Sequence, residues 1–73
     1  MRVNVNGQVI VVTGCEGLSL GAIATKARWQ TGYGEIPFDC WEIRTDNGIL
    51  LNPSSRPGAI DMIFVSRLAA IGG

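Results

Sequence analysis

The sequence predicts an α+β domain in which one helix packs on one face of a mixed sheet of four to five strands. Three observations predict it: β-branched alternation around an Asn6-Gly7 turn, a single helical repeat centred on Ile23 and Ala24, and further alternating stretches that follow Pro37 and end with residues 62–68. With 73 residues, 47% of them apolar and 16% charged, the chain supports one small core. It is too hydrophobic to remain disordered.

The first element is a hairpin. Met1-Arg2-Val3-Asn4-Val5 and Gln8-Val9-Ile10-Val11-Val12 flank Asn6-Gly7, a pair that accepts the positive φ values of a tight primed turn. A two-residue loop sets Val5 opposite Gln8 and Val3 opposite Ile10. Val3, Val5, Ile10 and Val12 then share the core face, and Arg2, Asn4, Val9 and Val11 the other. Gly14 and Gly17 break the strand. Ser19 is placed as the N-cap of a helix in which Leu20, Ile23, Ala24 and Ala27 form one apolar stripe. Trp29 falls off that stripe, so it either seals the sheet edge or is exposed. The helix stops near Thr31-Gly32, and Gly34 and Pro37 prevent it from resuming.

Residues 38–45 alternate again, with Trp41 and Ile43 on one face and Cys40, Glu42 and Arg44 on the other. Asp46-Asn47-Gly48 reads as a second turn, and Ile49-Leu50-Leu51 as a short returning strand ended by Asn52-Pro53. Residues 54–59 are too polar and too broken for regular structure, and residues 62–68 form the last strand, with the facing of Ile63 and Val65 left open by the pattern. The long crossover before that strand lets it enter the middle of the sheet beside the first, in parallel. The resulting order is that of a β-grasp, with the domain over residues 1–68 and a flexible tail over residues 69–73.

Charge and composition exclude several functions. A formal net charge of +0 gives no general attraction to phosphate backbones or acidic lipid. Without histidine the chain lacks the usual general base and the commonest zinc ligand, and two cysteines do not complete a tetrahedral site. Neither a metal nor a cofactor is expected. The longest aliphatic run, residues 9–12, is far short of a membrane span and the start has no secretory pattern, so a cytoplasmic protein is expected. Glu16, Glu35, Asp39, Glu42, Asp46 and Asp61 are scattered without a paired base or nucleophile and read as solvated charge. The Gly14, Gly17, Gly21 pattern superficially resembles a phosphate cradle but lacks the lysine and hydroxyl that end a nucleotide loop. Cys15 and Cys40 read as ordinary reduced thiols, with Cys15 of interest if it lies at the helix N-terminus. The chain does not read as an enzyme.

The chemistry falls instead on Ala69-Ala70-Ile71-Gly72-Gly73. A terminal carboxylate is ionised at neutral pH, and its attack on the α-phosphate of ATP makes an activated acyl donor. Gly72 and Gly73, without a Cβ, can thread a narrow channel, and residues 69–73 reach roughly 17 Å when extended. The domain is then the handle and Gly73 the reacting group.

With this element order, the Gly72-Gly73 end and Gly34-Glu35-Ile36-Pro37-Phe38-Asp39 after the helix, the chain resembles the ubiquitin-like superfamily. Val3-Asn4-Val5-Asn6-Gly7 and Trp41-Glu42-Ile43-Arg44-Thr45-Asp46-Asn47-Gly48 look like the small bacterial ubiquitin-like proteins found beside activating enzymes and JAB-type peptidases. That resemblance implies a modifier whose Gly73 is adenylated by an activating-enzyme-like protein, passed to a conjugating-enzyme-like cysteine and joined to amines of protein targets, in systems associated with antiviral defence. It implies a docking surface, for which Val9, Val11, Phe64 and Arg67 are the candidates, and which is equally suited to self-association into a homo-oligomer. The tail lacks basic residues after Arg67, and Lys26 is the single lysine, so Lys26 and the terminal amine are the candidate acceptors for chain growth. The Gly-Gly end is shared with sulfur carriers of the ThiS and MoaD type, which carry a terminal thiocarboxylate, and a β-grasp also serves as a non-covalent adaptor.

Overall fold

The computed structural model describes residues 1–35 and 41–67. Five elements follow one another: β1 (Arg2–Val5), β2 (Gln8–Val11), α1 (Leu20–Gln30), β3 (Trp41–Arg44) and β4 (Met62–Arg67). The hairpin has the predicted register, Val5 opposite Gln8 and Val3 opposite Ile10. Its turn is made by Asn6 and Gly7 at φ of 51° and 95°, the left-handed conformation that asparagine and glycine tolerate best. Asn4 Oδ1 accepts from Gly7 N–H at 2.7 Å and closes the turn.

The strands form one sheet in the order β2-β1-β4-β3. β4 runs parallel to β1 and antiparallel to β3, so the last strand is an inner one. This pairing settles the facing that the sequence pattern left open. Ile63 and Val65 lie opposite Val3 and Val5, on the same side as Ile43, and all are buried. Helix α1 covers that side with Leu20, Ile23, Ala24 and Ala27, and Val12 and Trp41 complete the core. Two of the four helix residues in that interface are alanines, so the core is small. The fold is thus a small α+β, β-grasp-like arrangement of one helix on a four-stranded mixed sheet.

Ser19 caps α1 as expected, its Oγ accepting from Ala22 N–H at 3.2 Å. The returning segment differs from expectation. Leu50 forms an isolated bridge to Arg44, and Leu51 N–H donates to the Ile43 carbonyl at 2.8 Å, but no fifth strand develops. Pro53, without an N–H, cannot extend the ladder, and Asn52 Oδ1 instead accepts from Ser54 N–H and starts a turn. Trp29 seals no sheet edge: it is 61% exposed and lies over Gly34, where an added Cβ would come within 2.1 Å of the indole. No helix among the described residues is long and apolar enough to cross a membrane. The expected strand residues Phe38, Asp39, Cys40 and Leu68, and the tail at 69–73, lie outside the described residues.

Candidate functional site

Gly72 and Gly73 lie outside the described residues, so the candidate site is built from the strand that leads to them and from the surfaces beside it. β4 is held on both sides. Ile43 and Val65 face each other across β3 and β4, and Trp41 lies opposite Arg67 at the strand's end. On the other side Asn6 N–H donates to the Val65 carbonyl at 3.0 Å, and Asn6 Oδ1 accepts from Arg67 N–H at 3.4 Å. The same turn residue that reverses the hairpin therefore clamps the exit of β4.

The expected docking residues do not all share one face. Val9 and Val11 face away from the helix and are 52% and 64% exposed. Phe64 shares their face, half-buried. β1 lies between them, however. Asn4 separates Val9 from Phe64, and Arg2 separates Val11 from Met62. Arg67 has the opposite parity, paired with Trp41 on the helix side, so it does not join the surface. Alternation puts Glu42 and Arg44 on the outer face too, where their side chains pair at 3.1 Å. That hydrogen bond, and then the nearby carboxylate charge, raises the Arg44 pKa above its ordinary value.

Both candidate acceptor amines are engaged by neighbouring carbonyls. Lys26 Nζ donates to the Thr13 carbonyl at 3.0 Å, and the Met1 amine donates to the Val12 carbonyl at 2.9 Å. The Cys15 thiol, half-buried, donates to that same Val12 oxygen at 3.3 Å. The glycine loop cradles no phosphate through the start of α1. Leu20 N–H donates to Ser55 O, Gly21 N–H to Pro53 O and Ala22 N–H to Ser19 Oγ, which occupies the donors an anion would use. Arg56 Nη1 donates to the Gly17 carbonyl and ties the same loop down. Among the described residues, no three His, Cys, Asp or Glu side chains come together to hold a metal ion.

Two features were not anticipated from the sequence. Arg28 is buried on α1, its guanidinium 5.2 Å from the Trp41 ring centre, with Nη2 donating to Thr25 Oγ1 at 3.3 Å. Tyr33 meets the same indole in an edge-to-face arrangement at 5.7 Å, so cation and phenol both pack against the ring. Burial pushes the Arg28 pKa below its ordinary value. A signal was present: Arg28 follows Leu20 and Ala24 at i+4 steps and so continues the apolar stripe, although arginine is rarely buried. The second feature is a shallow, mostly apolar recess of about 240 Å³ lined by Trp41, Glu42, Ile43, Leu50, Leu51 and Pro53. It arises because the returning segment leaves β3 after a single bridge.

No protein-family model matches the chain, and no curated protein matches it.

Proposed function

We propose that the chain is a ubiquitin-like protein modifier whose Gly73 carboxylate is adenylated and then joined to amines of target proteins, in a bacterial ubiquitination-like pathway of the kind associated with antiviral defence. One observation carries the reading: the strand that precedes Gly72-Gly73 is an inner one, parallel to β1 and clamped at its exit by Asn6 and by its pairing with β3. Such a strand supplies a rigid base from which a short glycine-ended segment can be offered to another protein. The reading concerns the dipeptide itself, whether Gly73 is the native terminus or is bared by a JAB-type peptidase.

The steps balance without a catalytic residue from this chain. A Gly73 carboxylate oxygen attacks the α-phosphorus of ATP, pyrophosphate leaves, and an acyl-adenylate forms on an activating-enzyme-like protein. A cysteine thiolate of the activating or conjugating protein displaces AMP to give a thioester, and a target amine displaces that thiolate to give an amide. Lys26 and the Met1 amine, each held by a backbone carbonyl, are poor acceptors until those bonds open, which favours attachment to other proteins over growth of chains.

Incubation of the purified chain with ATP and a candidate activating protein tests the reading by ATP–pyrophosphate exchange and by peptide mapping of conjugates. Trypsin cuts after Arg67, so a modified lysine should carry Leu68-Ala69-Ala70-Ile71-Gly72-Gly73 as its branch. Recovery of Gly73 with sulfur in place of one carboxyl oxygen would instead establish a sulfur carrier. Full partner binding after removal of Gly72 and Gly73 would establish a non-covalent adaptor.

A further inference from the structure

The two edges of the sheet are unequal. β3 is partly covered, because Leu51 N–H donates to Ile43 O and Thr45 N–H to Ile49 O. β2 is the opposite edge, and its hydrogen-bond parity follows from the hairpin. Met1 and Val12 exchange both main-chain bonds, Val12 N–H to Met1 O at 2.8 Å and Met1 N to Val12 O at 2.9 Å. In an antiparallel pair such exchanges recur at every second position, so Ile10 and Gln8 also point their main-chain groups at β1. Val9 and Val11 sit at the alternate positions, and their N–H and C=O groups point off the sheet. Among the described residues nothing pairs with them.

From this geometry we infer that the outer edge of β2 is a pairing surface for a second copy of this chain, joined antiparallel about a two-fold axis through Ile10. In that register Val9 exchanges both main-chain bonds with Val11 of the second copy, and Val11 with its Val9. The side chains agree with the backbone. Val9 meets Val11 of the second copy on the outer face, where both are exposed, and Ile10 meets its own equivalent on the helix side. The strand is self-complementary in charge as well. Gln8-Val9-Ile10-Val11-Val12 has no ionisable side chain, so two copies meet without repulsion, and a charged segment of another protein would find no counter-charge on the strand. Natural edges are blocked by lysine, proline or a bulge, and β2 has none of these within its paired residues. A chain with formal net charge +0 also opposes association little. This inference is independent of the proposed chemistry at Gly73.

Sedimentation velocity on the full chain, from about 1 µM to about 1 mM, tests it. The expected result is a concentration-dependent shift from monomer to dimer. Val11→Pro removes a main-chain N–H that is not bonded to β1, so the monomer should keep its fold, checked by far-UV circular dichroism, while the dimer dissociation constant rises tenfold or more. Val9→Lys, on the exposed face, should weaken the dimer to a similar degree. In a Cys15→Ser, Cys40→Ser background, Ile10→Cys should yield a disulfide-linked homodimer on mild oxidation, because facing residues at such a position lie about 4.5 Å apart at Cα. A monomer at every concentration would overturn the inference. So would a dimer unmoved by Val11→Pro, or the absence of the Ile10→Cys cross-link; if Val11→Pro does not fold, Val9→Lys and the cross-link decide.

Discussion

Arg28 shows how one side chain can serve packing while carrying a charge. Its stem lies in the helix stripe, and its guanidinium ends over Trp41 and beside Thr25. Truncation in Arg28→Ala is expected to lower stability by about 2 kcal/mol in urea unfolding, through lost packing and the lost contact with the ring. Arg28→Lys should recover part of that loss and not all, because an ammonium does not stack as a planar guanidinium does. Burial lowers the Arg28 pKa, so the folded state releases that proton at a lower pH than the unfolded state. The associated gain in stability with rising pH falls in the far alkaline range, and neither Arg28 nor Arg44, whose pKa is raised, gives a stability slope between roughly pH 5 and 9. Trp29 offers a second check. It lies over Gly34, so Gly34→Ala should push the exposed indole aside, moving tryptophan emission to longer wavelength while costing little stability.

At the scale of elements, local chemistry decided which parts could be read in advance. The hairpin and the helix were legible because their signals are short-ranged: Asn6-Gly7 fixes the turn and hence the register, and Ser19 with the Leu20, Ile23, Ala24, Ala27 stripe fixes where the helix starts and which side it buries. Ser19→Ala should therefore cost about 1 kcal/mol, read as a lower urea midpoint at unchanged slope, since it removes the acceptor for Ala22 N–H. The facing of β4 was not legible, because alternation within one strand has two equivalent phases until a neighbour selects one, and that neighbour, β1, is more than half the chain away. The segment Ile49-Leu50-Leu51, expected as a short strand, stops at one bridge, where Asn52 and Pro53 turn the chain away. The apolar recess beside Trp41 is a consequence of that failure and has no sequence signature of its own. The facing of the proposed docking residues was partly legible: hairpin parity puts Val9 and Val11 on the outer face, but strand order, a tertiary property, puts Arg2 and Asn4 between them and the residues of β4.

At the scale of the whole molecule, the first and last described strands hold the sheet together, and this separates what the fold needs from what the proposed chemistry needs. β1 and β4 pair in parallel, Val3 with Ile63 and Val5 with Val65, and β3 reaches the rest of the sheet through β4. A domain of this length has a stability of roughly 4–11 kcal/mol. Ile63 is fully buried at the centre, so Ile63→Ala, at a cost of about 2–5 kcal/mol, should take a large share of that and leave the chain partly unfolded near 37 °C. Among the described residues, in contrast, the last of the buried core is Val65. Removal of Gly72 and Gly73 takes away none of the buried side chains of that core, so thermal unfolding followed by circular dichroism should be unchanged within error. On the proposed function the same truncation should abolish ATP–pyrophosphate exchange with an activating protein, because it removes the glycine carboxylate proposed to attack ATP. A truncated chain that melts normally and is still adenylated would disprove the assignment of the reacting group to Gly73, whereas one that neither folds nor reacts would show that those glycines contribute to the fold itself.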